Sequence, residues 1–144
     1  MKIEFKRIEI NDETIKQLET ARYEAYDMKN LEIPCTDSFY ARELKTGKYM
    51  VYGAYLEEEL IGACYITNCL NLYIEQLYIK PKYRSLKIGK QLLLHVLQSK
   101  NEIENYFNEK YDYSYLSTRS DELNNYFEQL GYKNINDVYM KKRL

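Results

Sequence analysis

The chain has no tryptophan, two prolines, five glycines, three cysteines and one histidine among 144 residues. With His95 alone, no histidine cluster exists to hold a metal, and any Ser-His or Cys-His machinery would have to use that residue. Cys35, Cys64 and Cys69 form no Cys-x-x-Cys pair. An odd number of thiols without an export signal reads as a reducing, cytoplasmic setting. No apolar run approaches the roughly 20 residues of a membrane span, and the first eight residues, MKIEFKRI, are too charged for a signal peptide. Glycine is so sparse that Gly89 stands alone between Gly62 and Gly131, which excludes a P-loop and a dinucleotide fingerprint. A large charge of either sign is missing too. The 21 basic and 22 acidic residues leave a net −1, which argues against a surface built to grip nucleic acid or an anionic membrane.

What is present suits one folded domain spanning residues 1–144, since 45% of residues are hydrophobic and 30% charged. Residues 2–8 alternate like a strand. Residues 12–27 have helical spacing after an acidic start, and a short helix is expected from Asp37 or Ser38 to Lys45, following a loop over 31–36 around Pro34. Two antiparallel strands over 48–56 and 60–67 flank the acidic turn Glu57-Glu58-Glu59. Residues 72–79 are apolar on both faces and read as a central strand covered by helices. A helix is expected over 88–98, a helix or loop over 100–111, a strand over 113–118 and a helix over 121–130 stopped by Gly131; two short strands close the chain. This β-α-α-β-β-β-α-β-α-β-β order excludes a repeating βα barrel and implies an α/β (α+β) domain with a mostly antiparallel sheet.

Chemistry concentrates between Gln76 and Asn101, where Lys80, Lys82, Arg84, Lys87, Lys90 and Lys100 occur without any Asp or Glu. Arg84, Lys87 and Lys90 sit at the start of a predicted helix, where the macrodipole is already positive and cations are disfavoured. An anion would reverse that sign. The free N–H groups of Lys87, Ile88, Gly89 and Lys90 would point at it, and Gly89 lets backbone approach closely. A phosphate site and a solvated basic face both fit this charge pattern.

Leu77-Tyr78-Ile79-Lys80-Pro81-Lys82-Tyr83-Arg84-Ser85-Leu86-Lys87-Ile88-Gly89-Lys90 resembles the coenzyme A motif of the GNAT N-acetyltransferases: a strand, Gln/Arg-x-x-Gly-x-Gly/Ala, then a helix. Tyr126-Phe127-Glu128-Gln129-Leu130-Gly131-Tyr132 resembles that family's Tyr-Glu-Lys-Leu-Gly-Phe segment, and Tyr139-Met140-Lys141-Lys142 its last strand. The resemblance implies a mixed, mostly antiparallel sheet of about six to seven strands with helices on both faces. It also implies acetyl-CoA as co-substrate, without a metal. Lys87 departs from the pattern by occupying the motif's first glycine position, where its N–H stays usable provided its backbone angles are ordinary. Phe127 occupies the place of the family's usual tyrosine, and Ser120 that of an asparagine at the helix start.

By that resemblance, Leu77, Tyr78 and Ile79 would pair with the pantetheine arm, and Arg84 through Lys90, including Ser85 and Leu86, would surround the pyrophosphate. An amine would attack the thioester directly. Glu75 is the one acid on the predicted central strand, on the same face as Tyr73, Leu77 and Ile79, and is the candidate base. Tyr126 is the candidate acid, although a helix turns it about 100° from Phe127. The expected acceptor is a small amine, polyamine, aminoglycoside-like compound or protein amine, with no nucleic-acid or membrane partner; exposed strand edges allow a homodimer. The alternative is a coenzyme A-binding sensor or interaction module without turnover.

Overall fold

The computed structural model describes residues 2–27, 38–117, 121–136 and 139–144, with residues 121–124 described by backbone alone. The expected loop over 31–36, Cys35 and Ser120 therefore lie outside the described residues. Strand β1 (Ile3–Ile8) leads to α1 (Asp12–Ala25). Asn11 starts this helix by a reciprocal cap: Thr14 N–H donates to Asn11 Oδ1 and Asn11 N–H donates to Thr14 Oγ1, both at 2.9 Å. The Ser38 hydroxyl accepts from Ala41 N–H at 3.1 Å to begin α2 (Phe39–Lys45). Strands β2 (Met50–Leu56), β3 (Glu59–Thr67) and β4 (Leu72–Ile79) follow as an antiparallel meander.

A 3₁₀ turn over Pro81–Leu86 leads into α3 (Ile88–Gln98), and α4 (Lys100–Phe107) resolves the helix-or-loop expectation as a helix. Asn108, left-handed at φ 56°, ends it. Then come β5 (Tyr113–Ser117), α5 (Asp121–Glu128), β6 (Lys133–Asn134) and β7 (Tyr139–Arg143). The seven strands form one sheet in the order β1-β2-β3-β4-β5-β7-β6, with β4–β5 its parallel pair. The sheet is thus mostly antiparallel with helices on both faces. One core lies on the α3 side, around Ile66, Leu72, Leu92, Val96 and Met140. The other lies on the α1–α2 side, around Ile15, Leu18, Leu44, Tyr65 and Tyr78.

Tyrosine supplies much of this packing. Burial pushes the phenols of Tyr52, Tyr65, Tyr78 and Tyr132 above their ordinary value of 10, and those of Tyr111 and Tyr126 up to about 12. The fold therefore holds the neutral phenols. Below the unfolded value near 10 both states keep their protons and this contribution to stability is constant. Above it the unfolded chain releases protons that the native chain retains, so stability falls as pH rises. Guanidinium unfolding midpoints should hold steady through about pH 8 and drop sharply by about pH 11. A flat profile would contradict the buried positions of these rings.

Candidate functional site

The site forms where the sheet opens. Parallel pairing of β4 with β5 covers Leu72↔Ser114, Tyr73↔Tyr115 and Ile74↔Leu116 and goes no further. From Glu75 to Ile79 the β5-facing edge of β4 has no strand partner among the described residues, so its backbone groups remain available to an extended ligand. Gly62 lets β3 approach this end of β4 closely. A Cβ there would stand 2.8 Å from the Tyr78 carbonyl oxygen, inside the contact distance that real side chains keep.

Opening coincides with a β-bulge. Tyr65 pairs with Gln76 and Ile66 with Ile74, so Glu75 is an extra residue in β4. Side-chain parity flips across it, which corrects the expectation that Glu75 shares a face with Leu77 and Ile79. Those two pack with the α3-side core, whereas Tyr78 joins the α1-side core. Glu75 is partly exposed. Burial chiefly, and its negative charge in addition, raise the phenols of Tyr49 and Tyr73. These neighbours place its carboxylate on the α1 side of the opening.

On the other side stands the start of α3. Its cap residue, Lys87, is left-handed at φ 59° and ψ 22°, so its backbone angles are not the ordinary ones expected for a residue standing in for glycine. The conformation glycine normally supplies is kept, with lysine bearing the strain. A 3₁₀ turn ending at Leu86 followed by left-handed Lys87 is the alternation that gathers successive N–H groups into an anion-binding concavity. The helix start has no side-chain cap and no acid in its first turn. Lys87→Gly is expected to raise stability by about 0.5–1 kcal/mol and Lys87→Val to lower it; chemical denaturation of the three proteins checks this, and a less stable glycine variant would contradict it.

Arg84 is occupied differently from the expectation. Its Nε donates to the Ile79 carbonyl at 2.9 Å and its Nη2 to the Ala25 carbonyl, tying the basic loop to the ends of β4 and α1. Ser85, Leu86, Lys87 and Arg84 are exposed, Ile88 is buried, and Gly89 and Lys90 lie between. A Cβ on Gly89 would come within 3.3 Å of the Tyr126 hydroxyl. Tyr126 therefore reaches the start of α3 although it stands next to the family position, while Phe127 is buried against Tyr132. Among the described residues, the Tyr126 hydroxyl is buried without a hydrogen-bond partner, as is Gln76 Nε2 on β4, and such orphans are rare in folded proteins.

Other candidates are structural. His95 stacks on Phe5 and meets Tyr52 edge-on. Cys64 is fully buried, with its thiol pushed up by burial, and Cys69 is a free exposed thiol. A hollow of about 480 Å³ lined by residues including Arg7, Asp12, Lys45 and Tyr106 lies at the Ile8–Met50 end of the strands, the opposite end from Gly62 and Ile79. No group of three or more potential metal ligands occurs among the described residues, and no helix there is long and apolar enough to cross a membrane.

The sequence profile of the acetyltransferase (GNAT) domain matches residues 47–134. Comparison with curated proteins finds no match. Among solved structures, the chain superposes on the PaiA N-acetyltransferase of Thermoplasma acidophilum, determined in complex with coenzyme A, over 100% of both chains at 20% identity and TM-score 0.72. It superposes on an aminoglycoside 6'-acetyltransferase type Ii over 96% of both chains at 17% identity and TM-score 0.72. Escherichia coli ribosomal-protein-S18-alanine N-acetyltransferase matches 99% of this chain and 94% of its own at 12% identity and TM-score 0.69. At these identities the likeness is one of fold.

Proposed function

Because the chain belongs to the GNAT acetyltransferase family, we propose that it transfers an acetyl group from acetyl-CoA to a primary amine by direct attack, within a single domain. The observation that carries this reading is the opening itself. An unpaired strand edge, an uncapped cationic helix start and an orphan buried hydroxyl converge on one place. These residues fit coenzyme A: the Leu77–Ile79 edge would take the pantetheine arm as an added strand, and the amides of Lys87 through Lys90 the pyrophosphate. Arg84 holds that loop in shape, and the Lys87 and Lys90 ammonium groups add attraction. Acetyl-CoA supplies an activated thioester, and the N–H groups of the β4 edge are donors suited to polarise its carbonyl.

Acid and base then stand on opposite sides of the opening. Glu75, on the α1 side, is the base that takes a proton from the acceptor amine, directly or through water. Tyr126, on the α3 side, is the donor to the leaving thiolate; its buried hydroxyl has no other hydrogen-bond partner among the described residues. Tyr126→Phe should lower kcat by roughly tenfold without weakening acetyl-CoA binding. It should also raise stability, because an unpartnered buried hydroxyl is removed. A variant with unchanged kcat would return Tyr126 to a packing role.

The general test is thiol release from acetyl-CoA in the presence of an amine panel spanning alkylamines, polyamines, aminoglycosides and peptides with free N-termini. Amine-dependent release establishes the transferase. Acetyl-CoA binding without turnover on any amine would favour a coenzyme A-binding sensor.

A further inference from the structure

The helices leave part of the sheet bare. On β5 and β7, Ser114, Leu116 and Met140 turn inward. The opposite parity presents Tyr113, Tyr115, Tyr139, Lys141 and Arg143 on the α1 side, all partly or fully exposed. The α1-side core draws on β1 to β4 and on no residue of β5, β6 or β7, so this face is uncovered among the described residues. It adjoins the opening. Tyr73 contacts Tyr139 with ring centroids 6.4 Å apart and lies two residues from Glu75.

Strand register sets four side chains in a row. Tyr73 pairs with Tyr115, Tyr115 with Lys141, and Lys141 with Lys133. Three strand spacings make this row about 14 Å long, the span of four to five extended residues at about 3.3 Å each. Its far end is cationic. Lys133, Lys141 and Arg143 form no salt bridge among the described residues, and Lys141 Nζ rests 3.8 Å from the Tyr113 ring centre. Its near end is anionic, at Glu75.

We propose that this face seats an acidic peptide whose free amine is directed to Glu75, so that the acceptor is a protein or peptide amine followed by acidic residues. The charge order matches such a ligand end to end: ammonium at Glu75, carboxylates at Lys141, Arg143 and Lys133. A polyamine would meet repulsion along the same path, and a small amine would leave its basic end uncovered. Tyrosine rings between the two ends offer flat apolar contact to an extended chain at low entropic cost. The acceptor assignment rests on the transferase reading above; the peptide-binding face does not.

The probe is a hexapeptide with a free N-terminus, glutamates at its third, fourth and fifth positions and a fluorophore at its C-terminus, compared with its lysine counterpart by fluorescence anisotropy. The acidic peptide should bind the whole protein at least about tenfold more tightly, with the preference weakening as salt rises. The Lys141→Glu/Arg143→Glu double variant should reverse the preference, and Tyr115→Ala should weaken both peptides. Calorimetry should show acetyl-CoA binding unchanged in both variants, which also verifies their fold. Equal affinity for the two peptides, an unaltered preference in the charge-reversal variant, or tighter binding of a single-stranded oligothymidylate would each overturn the proposal. Peptide discrimination without acetyl-CoA binding would refute the transferase reading and leave the peptide seat standing. Acetyl-CoA binding without peptide discrimination would do the reverse.

Discussion

Replacing Glu75 with glutamine is expected to lower kcat for amine acetylation by about 10²-fold, with acetyl-CoA affinity kept within about twofold. The bulge is the reason. As the extra residue of β4, Glu75 lies where strand pairing stops, on the side of the sheet away from the helix start that would hold the pyrophosphate. Glu75 is partly exposed, and its charge adds to the burial that raises the phenols of Tyr49 and Tyr73. Glutamine keeps the shape and hydrogen-bonding capacity but cannot accept a proton from an ammonium group. The loss should shrink at alkaline pH, where more of the acceptor amine arrives already deprotonated. Steady-state kinetics at two pH values, beside calorimetry with acetyl-CoA, check both halves. Full kcat in Glu75→Gln would remove it as the base.

The second large effect concerns stability. Glu19 is 0% exposed and takes the Arg22 guanidinium at 2.8 Å and the Ser38 hydroxyl at 2.9 Å, joining α1 to the residue that caps α2. Arg22 also lies over the Tyr40 ring at 4.8 Å. Arg22→Leu would leave a buried carboxylate without its countercharge and should cost about 3–5 kcal/mol. The double variant Glu19→Leu/Arg22→Leu should recover much of that loss, since neither member of the pair is then buried without the other. Urea unfolding of both proteins measures this, and additive losses in the double variant would show that the pair is not coupled as described.

The element order was readable because its signals are local. Alternation marked β1, apolar runs flanking the acidic turn Glu57-Glu58-Glu59 marked β2 and β3, helical spacing marked α1 and α3, and Gly131 marked the end near α5. The basic helix start stood out because cations are misplaced there, and two motifs tied it to a family that the domain profile over residues 47–134 then established. What escaped reading depends on contacts between distant segments. Residues 72–79 look like one uninterrupted strand, and only pairing with β3 reveals that Glu75 is extra. Nothing in the sequence announces that Lys87 is left-handed or that carbonyls of Ile79 and Ala25 occupy Arg84. A helical wheel turns Tyr126 away from Phe127, yet in the fold its hydroxyl lies within 3.3 Å of where a Cβ on Gly89 would stand. The tyrosine and lysine row across β4, β5, β7 and β6 likewise exists only once the register is known.

The helix start after β4 and the β4 edge left unpaired among the described residues are expected to hold acetyl-CoA together. Titrating acetyl-CoA into ¹⁵N-labelled protein and following backbone amide resonances tests this directly. Saturable shifts confined to Leu77, Tyr78, Ile79 and the amides of Lys87 through Lys90 are the predicted result. Absence of shifts, or shifts centred on the hollow at Arg7, Lys45 and Tyr106, would contradict it.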